Sequence, residues 1–245
     1  MQTIAKLVGN RIKYKQIPNP SELVMDGVRW GRFDEVFTPA YWVGQAWLYE
    51  DGFSERRFRI GGTFKEEVAA CLLGGYGIPA EIGLAAFSRI RNLGYLIGDP
   101  PSQEQILEAL GSPFQIRGHR LHYRFQRQKS KYLYEFLHAI DKEPPPKNKS
   151  KNLRSWLMKF RGIGPKTASW ITRNWCASDE VAILDIHIHR AGIHIGLFRP
   201  SQLIPKDYFA MEDRFLNFAR SIGVRASILD TIIWSQMRLI SHVVF

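Results

Sequence analysis

Two cysteines, Cys71 and Cys176, are all that this chain of 245 residues carries. Two thiols are too few for a four-cysteine iron–sulfur cluster, a cysteine-rich zinc site or a disulfide framework. No run of about 18 unbroken apolar residues occurs, so no membrane span is expected, and the opening MQTIAKLVGNRIKYK lacks the apolar stretch of a secretory signal. The expected location is therefore the cytoplasm or the nucleoid. Acidic side chains are scarce beside basic ones: 23 Asp and Glu against 34 Lys and Arg leave a formal charge of +11. That imbalance favours polyanionic partners, of which nucleic acid is the commonest soluble one; ribosomal and membrane-surface proteins share it. There is no internal repeat of solenoid length.

With 45% apolar residues the chain can bury a core large enough for one domain or two packed lobes. Residues 1–62 have no clear period. EDGFSERRFRIGG alternates enough for a short strand or hairpin, so short strands are expected in this N-terminal region, packed on a helical core of residues 63–245. From Thr63 the pattern turns helical: Thr63 and Glu66 form a capping box ahead of FKEEVAACLLG, then the Gly74-Gly75-Tyr76-Gly77 break precedes PAEIGLAAFSRIRNLG. A second capping box, Ser102 with Gln105, opens QEQILEALG. The basic, aromatic segment from Arg117 to Lys131 runs into a further helix and reads either as a nucleic-acid face or as a solvated surface. DKEPPPKNKSKN reads as a linker, and helical signals return after it through to VRASILDTIIWSQMRLI. The fold class expected is mostly α.

Between two of those helices stands Phe160-Arg161-Gly162-Ile163-Gly164-Pro165-Lys166-Thr167-Ala168, which predicts a hairpin at 160–167. The glycines permit a tight bend, and the backbone amides of Gly162, Ile163 and Gly164 at a helix N-terminus suit a phosphate. The same pattern also fits a generic turn between helices. Lys166 falls on the first helical turn, where the helix dipole disfavours a cation. Ala168, Ile171 and Trp175 recur at three- and four-residue spacing as a buried stripe, whereas Lys166 and Trp170 lie one turn apart on another side. Nineteen residues after Lys166 comes Asp185, behind the apolar run Val181 to Leu184 and ahead of IHIHRAGIHIG, which it can cap.

This combination resembles the helix-hairpin-helix DNA glycosylases that carry a Gly/Pro-rich loop and an aspartate, the superfamily of endonuclease III and 8-oxoguanine DNA glycosylase. Asp185-x-His187 is more similar to the 8-oxoguanine branch, and Leu229-Asp230 with Ile233-Trp234 resembles its small, second type. The resemblance implies a two-lobed helical fold and a bifunctional glycosylase and AP lyase. Lys166 falls where such members keep a nucleophilic lysine, and Asp185 falls on the family aspartate. It further implies that Gly162, Ile163, Gly164 and His187 touch the DNA backbone, that Trp170 and Trp234 flank the extruded base, and that Tyr76 is the wedge that fills the gap. The partner implied is double-stranded DNA with an everted damaged base, bound by a monomer. No iron–sulfur cluster or other cofactor is expected; a monovalent cation at the hairpin is compatible with the family.

The chemistry suits those residue types. Breaking an N-glycosidic bond builds positive charge on the sugar, which a carboxylate beside C1′ stabilises. An uncharged lysine amine attacks C1′ and forms a Schiff base, after which β-elimination releases the 3′ phosphate. A base inside the stack is out of reach, so the nucleotide must be extruded. Rival readings are an enzyme for oxidised pyrimidines, an enzyme for modified bases of foreign DNA, and a non-catalytic hairpin that only grips the backbone. The chain ends in Phe245 where the small 8-oxoguanine enzymes often end in a lysine, so base recognition by the terminal carboxylate stays open. A zinc site from His187, His189 and His194 is not expected, because residues 187 and 189 point to different helix faces.

Overall fold

The structure, a computed structural model, describes residues 1–50, 58–75, 77–146 and 150–240. The described residues hold ten helices and six short strands. In chain order these are β1 (Gln2–Val8), β2 (Arg11–Ile17), β3 (Leu23–Met25), β4 (Val28–Arg29), α1 (Pro39–Glu50), α2 (Phe64–Leu73), α3 (Ala80–Asn92), α4 (Gln103–Gly111), β5 (Phe114–Ile116), β6 (His119–Leu121), α5 (Gln126–Ile140), α6 (Ser150–Leu157), α7 (Pro165–Cys176), α8 (Ile186–His194), α9 (Tyr208–Ser221) and α10 (Ala226–Met237). The chain divides into two compact units, Met1–Glu55 with Asp179–Phe245, and Arg56–Ser178.

The first unit joins the two ends of the chain. Its β1–β2 hairpin is antiparallel with seven pairs from Gln2↔Ile17 to Val8↔Arg11, set by the two-residue Gly9-Asn10 loop. One face of the hairpin meets α1, where the Lys6 ammonium donates to the Trp47 carbonyl at 2.6 Å. Trp42 of α1 packs with Leu184, Ile188, Tyr208, Phe215 and Leu229 in one apolar cluster. Side chains of that size, fully withdrawn from water, contribute roughly 2 to 3 kcal/mol each.

Among its described residues the second unit holds six helices and one small hairpin, β5–β6. Both capping boxes form: Thr63 Oγ1 accepts from the Glu66 amide, and Ser102 Oγ accepts from the Gln105 amide. Leu72, Ile90, Leu110, Phe136, Leu157, Ala168 and Ile171 are among the residues that make its core.

Two local expectations are sharpened and one is corrected. The basic segment does run into a helix, α5, but its start belongs to the β5–β6 hairpin, which turns at Arg117 and Gly118, both at positive φ. The short strands expected in the N-terminal region are present between Gln2 and Arg29; of the EDGFSERRFRIGG segment, residues 51–57 lie outside the described residues and residues 58–62 hold no strand. Trp175 is only half-buried, stacked under the Arg59 guanidinium at 4.2 Å, so the fully buried face of α7 is completed by Ser169 and Thr172.

Candidate active site

A turn over residues 158–164 joins α6 to α7 within the second unit. Helix α6 stops at Leu157, the Phe160 amide donates to the Leu157 carbonyl at 3.1 Å, and the Ile163 amide donates to the Phe160 carbonyl at 3.1 Å. Gly162 has φ +84, and a Cβ there would lie 2.1 Å from Cδ2 of Tyr132. Both the backbone turn and the packing of α5 therefore require a glycine. Ile163 points inward and is 3% exposed, so its contribution is to anchor the loop while its backbone stays at the surface.

Helix α7 then starts at Gly164 with Pro165 in its first position and no side-chain cap. Amides in the first helical turn have no intrahelical acceptor. Pro165 has no amide, which leaves those of Lys166 and Thr167 beside that of Gly164, all three without an acceptor among the described residues of this unit. Such a helix start is an anion site in waiting. Lys166 is half-buried on this first turn, and within its unit the ammonium has no hydrogen-bond or ion-pair partner among the described residues. One turn on, Trp170 is half-buried against the core, with its ring under Gly74: a Cβ on Gly74 would lie 3.4 Å from Trp170 Cη2. Tyr76 lies outside the described residues.

Asp185 belongs to the first unit. The segment before it is buried, and side chains from two helices pin it. The Ala182 amide donates to Glu212 Oε1 at 2.9 Å, the Ile183 amide to Asp230 Oδ2 at 3.2 Å, and the Leu184 amide to the Tyr208 hydroxyl at 3.3 Å. Tyr208 in turn donates to the Ala182 carbonyl at 2.7 Å. Tyr208 and Glu212 stand one turn apart on α9, so one helix face holds both backbone groups of Ala182 and the amide of Leu184, while Asp230 of α10 takes the Ile183 amide between them.

The run ends at Asp185, which caps α8. Its Oδ1 accepts from the His187 amide at 2.9 Å and the Ile188 amide at 3.0 Å. Within the unit, Oδ2 accepts no hydrogen bond from a described residue. One oxygen thus fixes the carboxylate, and the other keeps its lone pairs. His187 is half-buried, with Nδ1 unpartnered among the described residues. Trp234 of α10 is 38% exposed, one turn beyond Asp230, with the Arg238 guanidinium 4.7 Å from its ring centre.

Sequence reasoning passed over Glu212, Tyr208 and Lys129. The signal for the acids was there, since Glu212 and Asp230 interrupt otherwise apolar helical faces and are 1% and 2% exposed. An acid placed so deep must be satisfied by donors, and here backbone amides do it. Among the described residues no group of three or more His, Cys, Asp or Glu is placed to hold a metal, and no helix is long and apolar enough to cross a membrane.

Residues 61–224 match the family model for 8-oxoguanine DNA glycosylase, a span that includes Lys166 and Asp185. An 8-oxoguanine DNA glycosylase/AP lyase of Fusobacterium nucleatum is 28% identical over 122 residues, covering 45% of this chain and 56% of that protein. The match thus spans little more than half the length of that relative. Among solved structures, the 8-oxoguanine glycosylase/lyase of Methanocaldococcus jannaschii, bound to a 15mer DNA containing 8-oxoguanine, is similar with a TM-score of 0.55 and 23% identity over 84% of this chain and 91% of that one. The 8-oxoguanine DNA glycosylase of Thermotoga maritima is similar with a TM-score of 0.55 and 22% identity over 81% of this chain and 88% of that one. At these identities the two structures speak for a shared fold.

Proposed function

The chain belongs to the 8-oxoguanine DNA glycosylase family, and from that premise we propose that it removes 8-oxoguanine from duplex DNA as a glycosylase and AP lyase, acting as a monomer where cellular DNA lies. Two observations support this most, one in each unit: an open helix start bearing a lysine with no partner among the described residues of its unit, and a helix-capping carboxylate with one oxygen that accepts no hydrogen bond from a described residue of its own unit.

In this reading the amides of Gly162 and Gly164, with Ile163 holding the loop, receive a backbone phosphate, and His187 meets a second one. Trp170 and Trp234 each lend an aromatic face to the everted base, and Tyr76 fills the space left in the duplex. The Lys166 amine, in its uncharged form, attacks C1′ while the glycosidic bond breaks and the base departs with the bonding pair and a proton. Asp185 Oδ2 stabilises the positive charge that builds on the sugar. The bound amine becomes an imine of the opened sugar, loss of a C2′ proton breaks the C3′–O bond, and the 3′ phosphate leaves. The carbonyls of Arg161, Gly162 and Ile163 accept no hydrogen bond among the described residues, a hard-oxygen set that suits a monovalent cation at the hairpin.

Reductive trapping tests the reading. Wild-type protein incubated with an 8-oxoguanine:cytosine duplex and borohydride should give a covalent protein–DNA band. Lys166→Gln should lose that band and about a thousandfold or more of the strand-cleavage rate. A wild type that forms no adduct with 8-oxoguanine or with any member of a panel of oxidised or otherwise modified bases would leave only a backbone-binding module.

A further inference from the structure

We propose that Lys129 is a positioning residue for base excision, holding the end of α2, and with it the backbone of Gly74, against the ring of Trp170. This rests on the reading of Trp170 as a wall of the base pocket.

The last carbonyls of a helix have no intrahelical donor and usually face water or a glycine turn. At the end of α2 two of them are closed by side chains from beyond the helix. The Lys129 ammonium donates to the Leu72 carbonyl at 2.6 Å, and the Tyr123 hydroxyl donates to the Leu73 carbonyl at 2.5 Å. Gly74 follows at once as the residue that ends the helix. It is gripped from two further sides, because a Cβ on Gly74 would touch Trp170 and a Cβ on Gly83 of α3 would lie 3.1 Å from the Gly74 Cα. The end of α2 is therefore a tight junction of α3, α5 and α7, and Trp170 is one of its members.

A half-buried ammonium is a costly way to close a carbonyl, since burial penalises the charged form. Tyr123, 2% exposed, has its hydroxyl in the same dry setting. Burial pushes the Lys129 ammonium down to about 8. A cation retained under that penalty at a helix C-terminus gains from the helix dipole. Its bond to the Leu72 carbonyl, two residues before the glycine that backs Trp170, points to the pocket wall as what it serves.

The experiment compares two substrates and adds a readout that needs no activity. A duplex with a preformed abasic site has no base to hold, so borohydride trapping on it should not require the pocket wall. Lys129→Met is expected to lower the single-turnover excision of 8-oxoguanine about tenfold with KM and abasic-site trapping within twofold of wild type, and Lys129→Arg to restore excision to within about threefold. Hydrogen exchange at the amides of Gly74 and Gly75 should speed up about tenfold in Lys129→Met. If Lys129→Met does not fold, Tyr123→Phe, which removes only the hydroxyl, should show the same pattern at about threefold. Wild-type excision by these variants, or a parallel loss of excision and abasic-site trapping, overturns the proposal. A wild type inactive on every duplex, with the exchange effect present, overturns the functional reading instead and leaves the clamp standing.

Discussion

Helix α7 begins at a glycine with no side chain to close its amides, whereas α8 begins at a carboxylate that closes two of them. Both helix starts present partial positive charge, and the two are used in opposite ways. At α7 the charge is left open to an external anion, and the residue set among the bare amides is a lysine. At α8 the charge is met internally by Asp185, held by one oxygen behind a run that Glu212, Asp230 and Tyr208 fix in place. In the proposed reaction Asp185 would be both cap and catalytic carboxylate, the two oxygens dividing the work.

That division can be broken by one atom. Asn caps as well as Asp does, so Asp185→Asn should keep stability within about 0.5 kcal/mol. It removes the negative charge, so excision should fall about a hundredfold or more. Asp185→Ala should lose the same activity and about 1 kcal/mol of stability besides. Urea unfolding and single-turnover excision measured on the pair decide it: an Asn variant with wild-type excision would reduce Asp185 to a cap.

Within the α7 start the two glycines should differ nearly as much. Gly162→Ala places a methyl group inside the Tyr132 ring position at positive φ, and should cost roughly 2 kcal/mol or more. Gly164 has an ordinary φ of −84 and nothing within 4 Å of a Cβ, so Gly164→Ala should cost under about 1 kcal/mol. The added methyl does stand beside the open amides, and it should weaken binding of an undamaged duplex about threefold. Unfolding midpoints and duplex titrations at fixed salt separate the two effects. Equal destabilisation by both substitutions would mean that the loop is gripped along its whole length.

What could be read in advance follows the range of the forces involved. The capping boxes at Thr63 and Ser102, the hairpin at Gly162 and the cap at Asp185 are local, with the residues that satisfy each group at most four positions away, so their spacing was visible. The β5–β6 hairpin was hidden because Arg117, a residue that seldom takes positive φ, stands where turn chemistry favours Gly or Asn. The first unit was hidden for a different reason. Trp42 and Phe215 share a core across most of the chain, and no periodicity within either helix names its distant partner. The same limit applies to Lys129, which sat in a basic run that read either as a nucleic-acid face or as a solvated surface, since the Leu72 carbonyl it meets is 57 positions away.

The contrast between open and closed helix ends extends to the end of α2, where the closing group is a cation buried at a cost, and that cost titrates. The Lys129 ammonium is lowered to about 8 by burial, against roughly 10.4 for an unfolded lysine. Between those values the unfolded chain binds more protons than the folded one, so stability rises with pH across this window. Below pH 8 both states are protonated and the full penalty for the buried charge is present. Above about 10.4 both are neutral and it has gone. Lys129→Met has no such titration, and its other groups titrate as in the wild type, so the difference between the two proteins isolates this lysine. From pH 7 to pH 9 the wild type should gain about 1 kcal/mol on Lys129→Met in urea unfolding. A difference that stays flat over that range would mean that the ammonium is effectively solvated, and the α2 end would then be closed as loosely as the α7 start is open.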